Sequence, residues 1–336
     1  MSTWARGMAS LVDISRRACV SVATASRVLN GSSHPVSSAT RERVLAAAEE
    51  LGYRPSELAR ALVKRTSRIV GVVVGDIVDP YFAEIARGVA DVAGRAGHLT
   101  MVCNGDRRPA AELAHLGVLR DYHAAGVVFA GSGYEDAADS AALRAAVEDL
   151  RACGTAVVAL AARDLDCPTV RVDNVAVARD ATEHLLALGH RRIAFVEGPA
   201  GLHTSTQRLN GFASAMSAAG ADGMRLPGGF EYEAGVAAAD TLLAGGELPD
   251  AVLAANDEVA IGLLTRLRRA GVDVPRRVSL VGIDDTRTAR LVDLTTISLP
   301  LHELGERAAH AIVGPGGESA VLEHRLVVRG TTAPRA

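Results

Sequence analysis

The chain has 336 residues, enough for a small head and a large body, and its 49% apolar content with only 3% aromatics calls for an aliphatic, alanine-rich core. It has no run of about 18 apolar residues and no basic start followed by an apolar stretch, so neither a membrane span nor a secretory leader is expected and the protein is placed in the cytoplasm. The net charge of −3 hides an asymmetry: residues 1–68 carry eleven Lys/Arg against five Asp/Glu, and the remainder 25 against 34, which points the head alone toward a polyanion.

Residues 1–9 read as an unstructured lead-in, with Met8 an alternative start. Residues 11–18 place Leu11, Ile14 and Ala18 on one helical face. Residues 21–30 open with Ser21 as N-cap and turn Val22, Ala25, Val28 and Leu29 toward a core. Residues 38–51 are strongly helical and end before Gly52. A shorter amphipathic segment, 56–64, follows Pro55.

From Arg68 the pattern changes. IVGVVV at 69–74 is a continuous apolar run, the mark of a strand buried on both faces of a parallel sheet. Similar runs recur at Leu99–Cys103, Gly126–Ala130, Ala156–Leu160, Ile193–Val196, Ala251–Ala254 and Val278–Ile283. Helical stretches separate most of them, so the body is parallel α/β. It is too long for one ordinary open sheet. An internal echo, SRIVGVVVGD at 67–76 and RRIAFVEGP at 191–199, indicates two similar subdomains with a ligand cleft between them. The four cysteines, Cys19, Cys103, Cys153 and Cys167, contain no CxxC pair, and the histidines lack metal-like spacing; no metal or cofactor is expected.

A helix, a tight turn and a second helix in a basic head describe a helix-turn-helix, or else a structural corner in a helical domain. In the first reading the helix after Ser21 enters the major groove. Val22, Ala23 and Thr24 then face base edges, Ser26, Arg27 and Asn30 meet bases or phosphate, and Ser21 at the helix start belongs to the same DNA-binding set. Arg41 and Arg43 open the next helix and suit phosphate. The 56–64 segment can lie in the minor groove with Leu62 as an apolar wedge; otherwise Leu62 is a core leucine.

Several long stretches in order resemble the lactose/galactose repressor family. They are VSVATASRVLNG at 20–31, TRERVLAAAEELGYRP at 40–55, LARAL at 58–62, DPYFAEIARGV at 79–89, HLLALGHRRIAFVEGP at 184–199, ANDEVAIGLL at 255–264 and VSLVGIDDT at 278–286. The resemblance implies a small all-α helix-turn-helix head (10–55), a hinge helix and linker (56–67), and an effector-binding, dimerising body (68–334). That body is α/β and periplasmic-binding-protein-like, with two doubly wound parallel-sheet subdomains. The N-subdomain takes 68–172 plus 300–322 and the C-subdomain 173–298 plus 325–334, with crossovers near Val172–Asn174, Ser298–Pro300 and Val321–Arg325. The implied partners are a near-palindromic double-stranded DNA operator, a second copy of the chain and a small-molecule effector. Val22, Ala23, Thr24, Ser26, Arg27 and Asn30 match the family's DNA contacts, and Leu62 with Ala59 beside it matches the pair at the operator centre. The sequence departs from the family at Cys19, where Gly or Asn is usual in the turn, and at Ala25, where a larger aliphatic is common. If the Cys19 position needs positive φ, the side chain costs on the order of 1 kcal/mol there.

The matching effector positions are Asp79, Tyr81 and Phe82 from the N-terminal half, and His203, Thr204, Arg208, Phe230, Asp257 and Asp284 from the C-terminal half. An aromatic pair can stack on a sugar or base face, and Arg208 with Asp284 suits a hydroxyl-rich ligand. Asp173–Asn174 either contacts ligand or turns the chain. A sugar or sugar derivative is the commonest effector class in the family. The arginine that the purine-responsive branch carries near Leu202 is absent, and the body has no Trp, so Phe230 substitutes as platform. No enzyme is expected: no GxGxxG follows the first strand, no GxxxxGK[ST] occurs, and no nucleophile–base set is present. A binding protein without DNA function is opposed by the basic head. No leucine heptad follows LVVRG at 326–330, which favours a dimer over a tetramer.

Overall fold

The computed structural model describes residues 9–30, 34–53 and 66–335, so the expected hinge helix with Ala59 and Leu62 lies outside the described residues. The chain divides into two compact units at Ser67/Arg68.

The first unit contains three described helices, α1 (Leu11–Arg17), α2 (Val22–Leu29) and α3 (Ser38–Glu50). Each is capped by a serine hydroxyl. Ser10 and Asp13 form a reciprocal capping box, Ser21 accepts from the Thr24 N–H at 3.1 Å, and Ser37 from the Thr40 N–H at 3.3 Å. The core is Ile14, Ala18, Ala25, Val28, Val44, Ala47 and Ala48, with Leu11, Val20, Leu29, Val36 and Tyr53 packed against it. Val22 does not join it. It is the first helical residue, one turn short of Ala25 where burial begins, and remains 44% exposed.

The turn between α1 and α2 places Cys19 at φ 54°, in the left-handed region. The Val20 N–H reaches back to the Ser15 carbonyl at 3.0 Å and closes the turn. A side chain is strained in this conformation, which glycine adopts freely.

The described residues of the second unit form twelve strands. One parallel sheet runs β2 (Leu99–Asn104), β1 (Ile69–Val74), β3 (Gly126–Phe129), β4 (Ala156–Ala159). A bridge from Ala159 to Thr169 attaches β5 (Val170–Val172), which pairs with β11 (Ala320–Leu322). The other sheet runs β12 (Arg325–Val327), β10 (Thr295–Ser298), β9 (Ser279–Asp284), β8 (Ala251–Ala254), β6 (Arg192–Val196), β7 (Asp222–Leu226). Among the described strands, all pairings are parallel except β10 with β12. β1, β3, β4, β6, β8 and β9 are buried almost throughout, as their apolar runs require.

The sheets are covered by α4 (Pro80–Arg95), α5 (Pro109–Asp121), α6 (Ala137–Ala152), α7 (Asn174–Ala187), α8 (His203–Ala218), α9 (Tyr232–Ala244), α10 (Asp257–Arg269), α11 (Arg287–Leu291) and α12 (Leu301–Val313). α12 returns from the second sheet to pack on α4, so the first half is completed by a late segment. That contact is backbone-close. A methyl group on Gly88 would collide with the His302 carbonyl, and one on Gly305 with the Ile85 carbonyl.

Two variants test this packing. Cys19→Gly should raise the stability of the first unit by about 1 kcal/mol, read by chemical denaturation. Gly305→Ala should lower that of the second by about 1–3 kcal/mol, the usual overpacking cost.

Candidate functional site

α2 separates its residues by face. Ala25 and Val28 are buried, Ser21, Val22, Ala23, Arg27 and Asn30 are exposed, and Thr24 and Ser26 are half-buried. The outward polar groups are pre-ordered by one another. Ser21 and Thr24 hydroxyls lie 2.8 Å apart, and the Asn30 amide donates to the Ser26 hydroxyl at 3.0 Å. Arg41 and Arg43 are exposed on the first turns of α3. An exposed apolar-and-hydroxyl turn flanked by guanidinium groups can meet both thymine methyls and phosphate.

In the second unit, one cleft open to solvent is lined from both halves. Asp79, Tyr81, Phe82, Thr204, Arg208, Phe230 and Asp284 all line it. Asp79 caps α4 by accepting from the Tyr81 N–H at 3.0 Å, which fixes the following aromatic pair edge to face at 4.9 Å. Arg208, on α8, is buried. It donates to the Asn174 side-chain oxygen at 3.0 Å and to the Ala255 carbonyl, and its guanidinium lies 3.7 Å from Asp284 Oδ1. That oxygen has no hydrogen-bond partner among the described residues. Asp284 ends β9 at φ 125°, and Asp285 follows at φ 61°.

Burial sets the acid–base character of these groups. It raises the Asp284 carboxyl well above the ordinary range, against the pull of Arg208. It pushes Asp79 up to about 6, against the Tyr81 N–H and Arg107. It also raises the Tyr81 hydroxyl.

Two expected residues do not line the cleft. Asp257 is fully buried as the first residue of α10. It accepts from the Thr286 N–H at 2.7 Å and the Thr296 hydroxyl at 2.6 Å, bracing strand ends, and burial pushes it up to about 7. His203 opens α8 and donates its backbone N–H to the Gly133 carbonyl at 3.1 Å, while Thr204 beside it faces the cleft. Asn174, left open as ligand contact or turn, is buried against Arg208.

Sequence reasoning missed other groups. Asn256, the cap of α10, lines the cleft one position before Asp257 and donates to the Phe230 carbonyl at 2.9 Å. Its signal was present in the ANDEVA stretch. Arg107 spans the mouth, 3.3 Å from Asp79, 3.2 Å from Glu231 of the other half, and 5.4 Å over the Phe230 ring. Glu112 and Tyr134 line the far end, with Arg163 behind them. No motif marks these four. Hydrogen bonds also join the halves at this end: Glu135 N–H to the Gly201 carbonyl at 2.9 Å and Thr204 N–H to the Ser132 side-chain hydroxyl at 3.0 Å, around a Tyr134–Leu202 bridge. No described helix is long and apolar enough to cross a membrane.

Residues 10–56 match the bacterial regulatory proteins of the lacI family, and residues 182–336 match a periplasmic binding protein-like domain. The HTH-type transcriptional repressor CytR of Escherichia coli (strain K12) is 32% identical across 96% of each chain. A crystal structure of the lac repressor dimer bound to operator and the anti-inducer ONPF is 27% identical with a TM-score of 0.81, covering 97% of this chain and 99% of that one. The complex of the transcriptional regulator CelR with cellobiose is 31% identical with a TM-score of 0.68, covering 96% and 99%.

The Asp79 carboxyl gives a pH test. The folded protein keeps its proton to about pH 6, whereas the unfolded chain releases it near 3.8. The stability this proton lends is complete below the lower value and is lost as pH rises through the upper one. Asp79→Asn keeps a capping acceptor. Relative to it, the wild type should lose on the order of 3 kcal/mol of unfolding free energy across that window, measured by urea unfolding at several pH values.

Proposed function

The chain belongs to the lacI family of bacterial regulatory proteins, a family of transcriptional regulators and not of enzymes, and on that premise we propose that it is a dimeric cytoplasmic repressor. It binds a near-palindromic operator and is controlled by a small hydroxylated molecule, a sugar or sugar derivative, held in the cleft of the body.

The observation that carries the DNA half of this reading is the outward first turn of α2. Val22, Ala23 and Thr24 are held off the head's core by a capped helix whose opposite face is buried. Val22 and Ala23 fit apolar contact with base edges, and Arg27, Arg41 and Arg43 fit phosphate. Leu62 and Ala59 are assigned to the operator centre from their place in LARAL.

For the effector half, the support is the buried Arg208–Asp284 pair. A carboxylate oxygen left without a donor in a buried site is costly, and a ligand hydroxyl would satisfy it. The halves already touch across the cleft through Arg107–Glu231 and the Tyr134–Leu202 bridge. A ligand that fills the cleft favours the arrangement in which those contacts form, and operator affinity follows by reciprocal coupling.

Selection of full-length protein against random DNA at moderate salt should recover a near-palindrome, with binding that weakens steeply as salt rises. Recovery of no sequence would overturn the operator reading. Leu62→Ala should weaken binding to the selected operator more than binding to unrelated DNA, because only a kinked site uses the wedge; equal losses would remove Leu62 from that role.

A further inference from the structure

Arg107 stands between the two halves of the body. It lies in the loop from β2 to α5, and its side chain is 15% exposed. Three carboxylates surround it. Asp76 at 3.5 Å and Asp79 at 3.3 Å belong to its own half, while Glu231 at 3.2 Å leads into α9 in the other. The guanidinium also lies 5.4 Å over the ring of Phe230, beside Glu231, within cation–π range. Parting the halves therefore costs Arg107 one ion pair and one ring contact, and the acids of its own half still hold it in place.

Both sides of this contact break a local rule. Asp106 and Arg107 are consecutive non-glycine residues in the left-handed region, at φ 52° and 51°. Each is strained there, and such strain persists where the surroundings over-determine it. Glu231 is the N-cap of α9, but its carboxylate makes no capping hydrogen bond. Asp79, Asp136, Asp173 and Asn256 all cap their helices with a side-chain oxygen. Glu231 instead accepts from the Phe230 N–H through Oε2 at 3.0 Å and turns Oε1 to Arg107. A helix start thus forgoes its own cap to meet a cation from the opposite half. A second seam joins the halves elsewhere along the cleft. There the Glu135 N–H donates to the Gly201 carbonyl, the His203 N–H to the Gly133 carbonyl and the Thr204 N–H to the Ser132 hydroxyl. That seam depends mainly on main-chain groups, whereas the Arg107 seam is made of side chains.

We propose that Arg107 is a positioning residue: through Glu231 and Phe230 it sets how readily the two halves part, and thereby the protein's operator affinity. The second clause rests on the regulator reading given above; the first is independent of which effector the cleft takes. The strength of the contact suits a switch. A part-exposed ion pair with one ring contact shifts an open–closed balance by a small factor, which a bound ligand can outweigh. Breaking a fully buried pair would cost far more and would fix the halves in one arrangement.

Native-state hydrogen exchange on the full-length protein reads the parting, because the Glu135, His203 and Thr204 amides are protected by bonds between the halves. Glu231→Gln and Arg107→Gln should each speed exchange at those three amides about fivefold, the scale of one ion pair. Val72 and Val252, inside the two sheets, should stay within about twofold. The double variant should exceed Arg107→Gln by less than about twofold, because residues acting as one pair are not additive. Binding of Glu231→Gln to the operator selected from random DNA should shift by about threefold or more, the lower part of the usual range for coupled sites. If the cross-cleft amides do not move, if Val72 and Val252 speed up with them, or if the double variant is additive, the positioning role is overturned. If the amides move as expected and operator binding shifts less than that, the latch stands and its control of DNA is overturned. A protein that selects no operator overturns the regulator reading, and the amides alone then decide the role of Arg107.

Discussion

Parallel strands all end on the same side of their sheet, and that constraint places the chemistry of this body. A strand's carboxyl end leads directly into a loop and a helix start, so the backbone arrives with side chains facing outward. Gly75 follows β1, Gly131 and Ser132 follow β3, Ala161 follows β4, Asn256 follows β8 and Asp284 closes β9. Two such sheets, set so that these ends oppose, leave one cleft into which separate stretches of chain converge. The late return of α12 onto α4, packed through Gly88 and Gly305, completes the first of the two halves.

The cleft carries buried acids in excess of what its arginines fully satisfy. Asp79 and Asp284 are both raised by burial, and Asp284 and Asp285 sit at positive φ. Such strain and incomplete pairing are retained where a ligand finishes the arrangement. Asp257 shows the contrast. It is equally buried, yet both of its oxygens accept hydrogen bonds from Thr286 and Thr296, and its role is to brace the strand ends.

Much of this was legible in the sequence where a strong local rule applied. Ser21 was readable as a cap, and the strands with unbroken apolar runs were readable as buried. β7 was not, because DGMRL is an exposed edge with no apolar run. β10 was not, because its buried Thr295 and Thr296 are polar and are satisfied by hydrogen bonds that sequence does not show. At the cleft, Arg208, Asp284, Asp79, Tyr81, Phe82, Thr204 and Phe230 come together, while Asp257 lies one position beyond the residue that faces in. A helix cap and the residue after it point in different directions, and spacing alone does not say which turns inward. Glu112, Tyr134 and Arg163 were illegible because they come from separate loops and helix starts, joined only by folding.

The head has a further consequence. Its core is a handful of aliphatic side chains, four of them alanines, closed by a strained cysteine turn. So small a buried area leaves little reserve of folding free energy. In the proposed function, duplex DNA that binds the ordered head adds to that reserve by mass action. Folding of the reading unit and occupancy of its site become one linked equilibrium, and a substitution in the alanine core shifts apparent DNA affinity without touching a base.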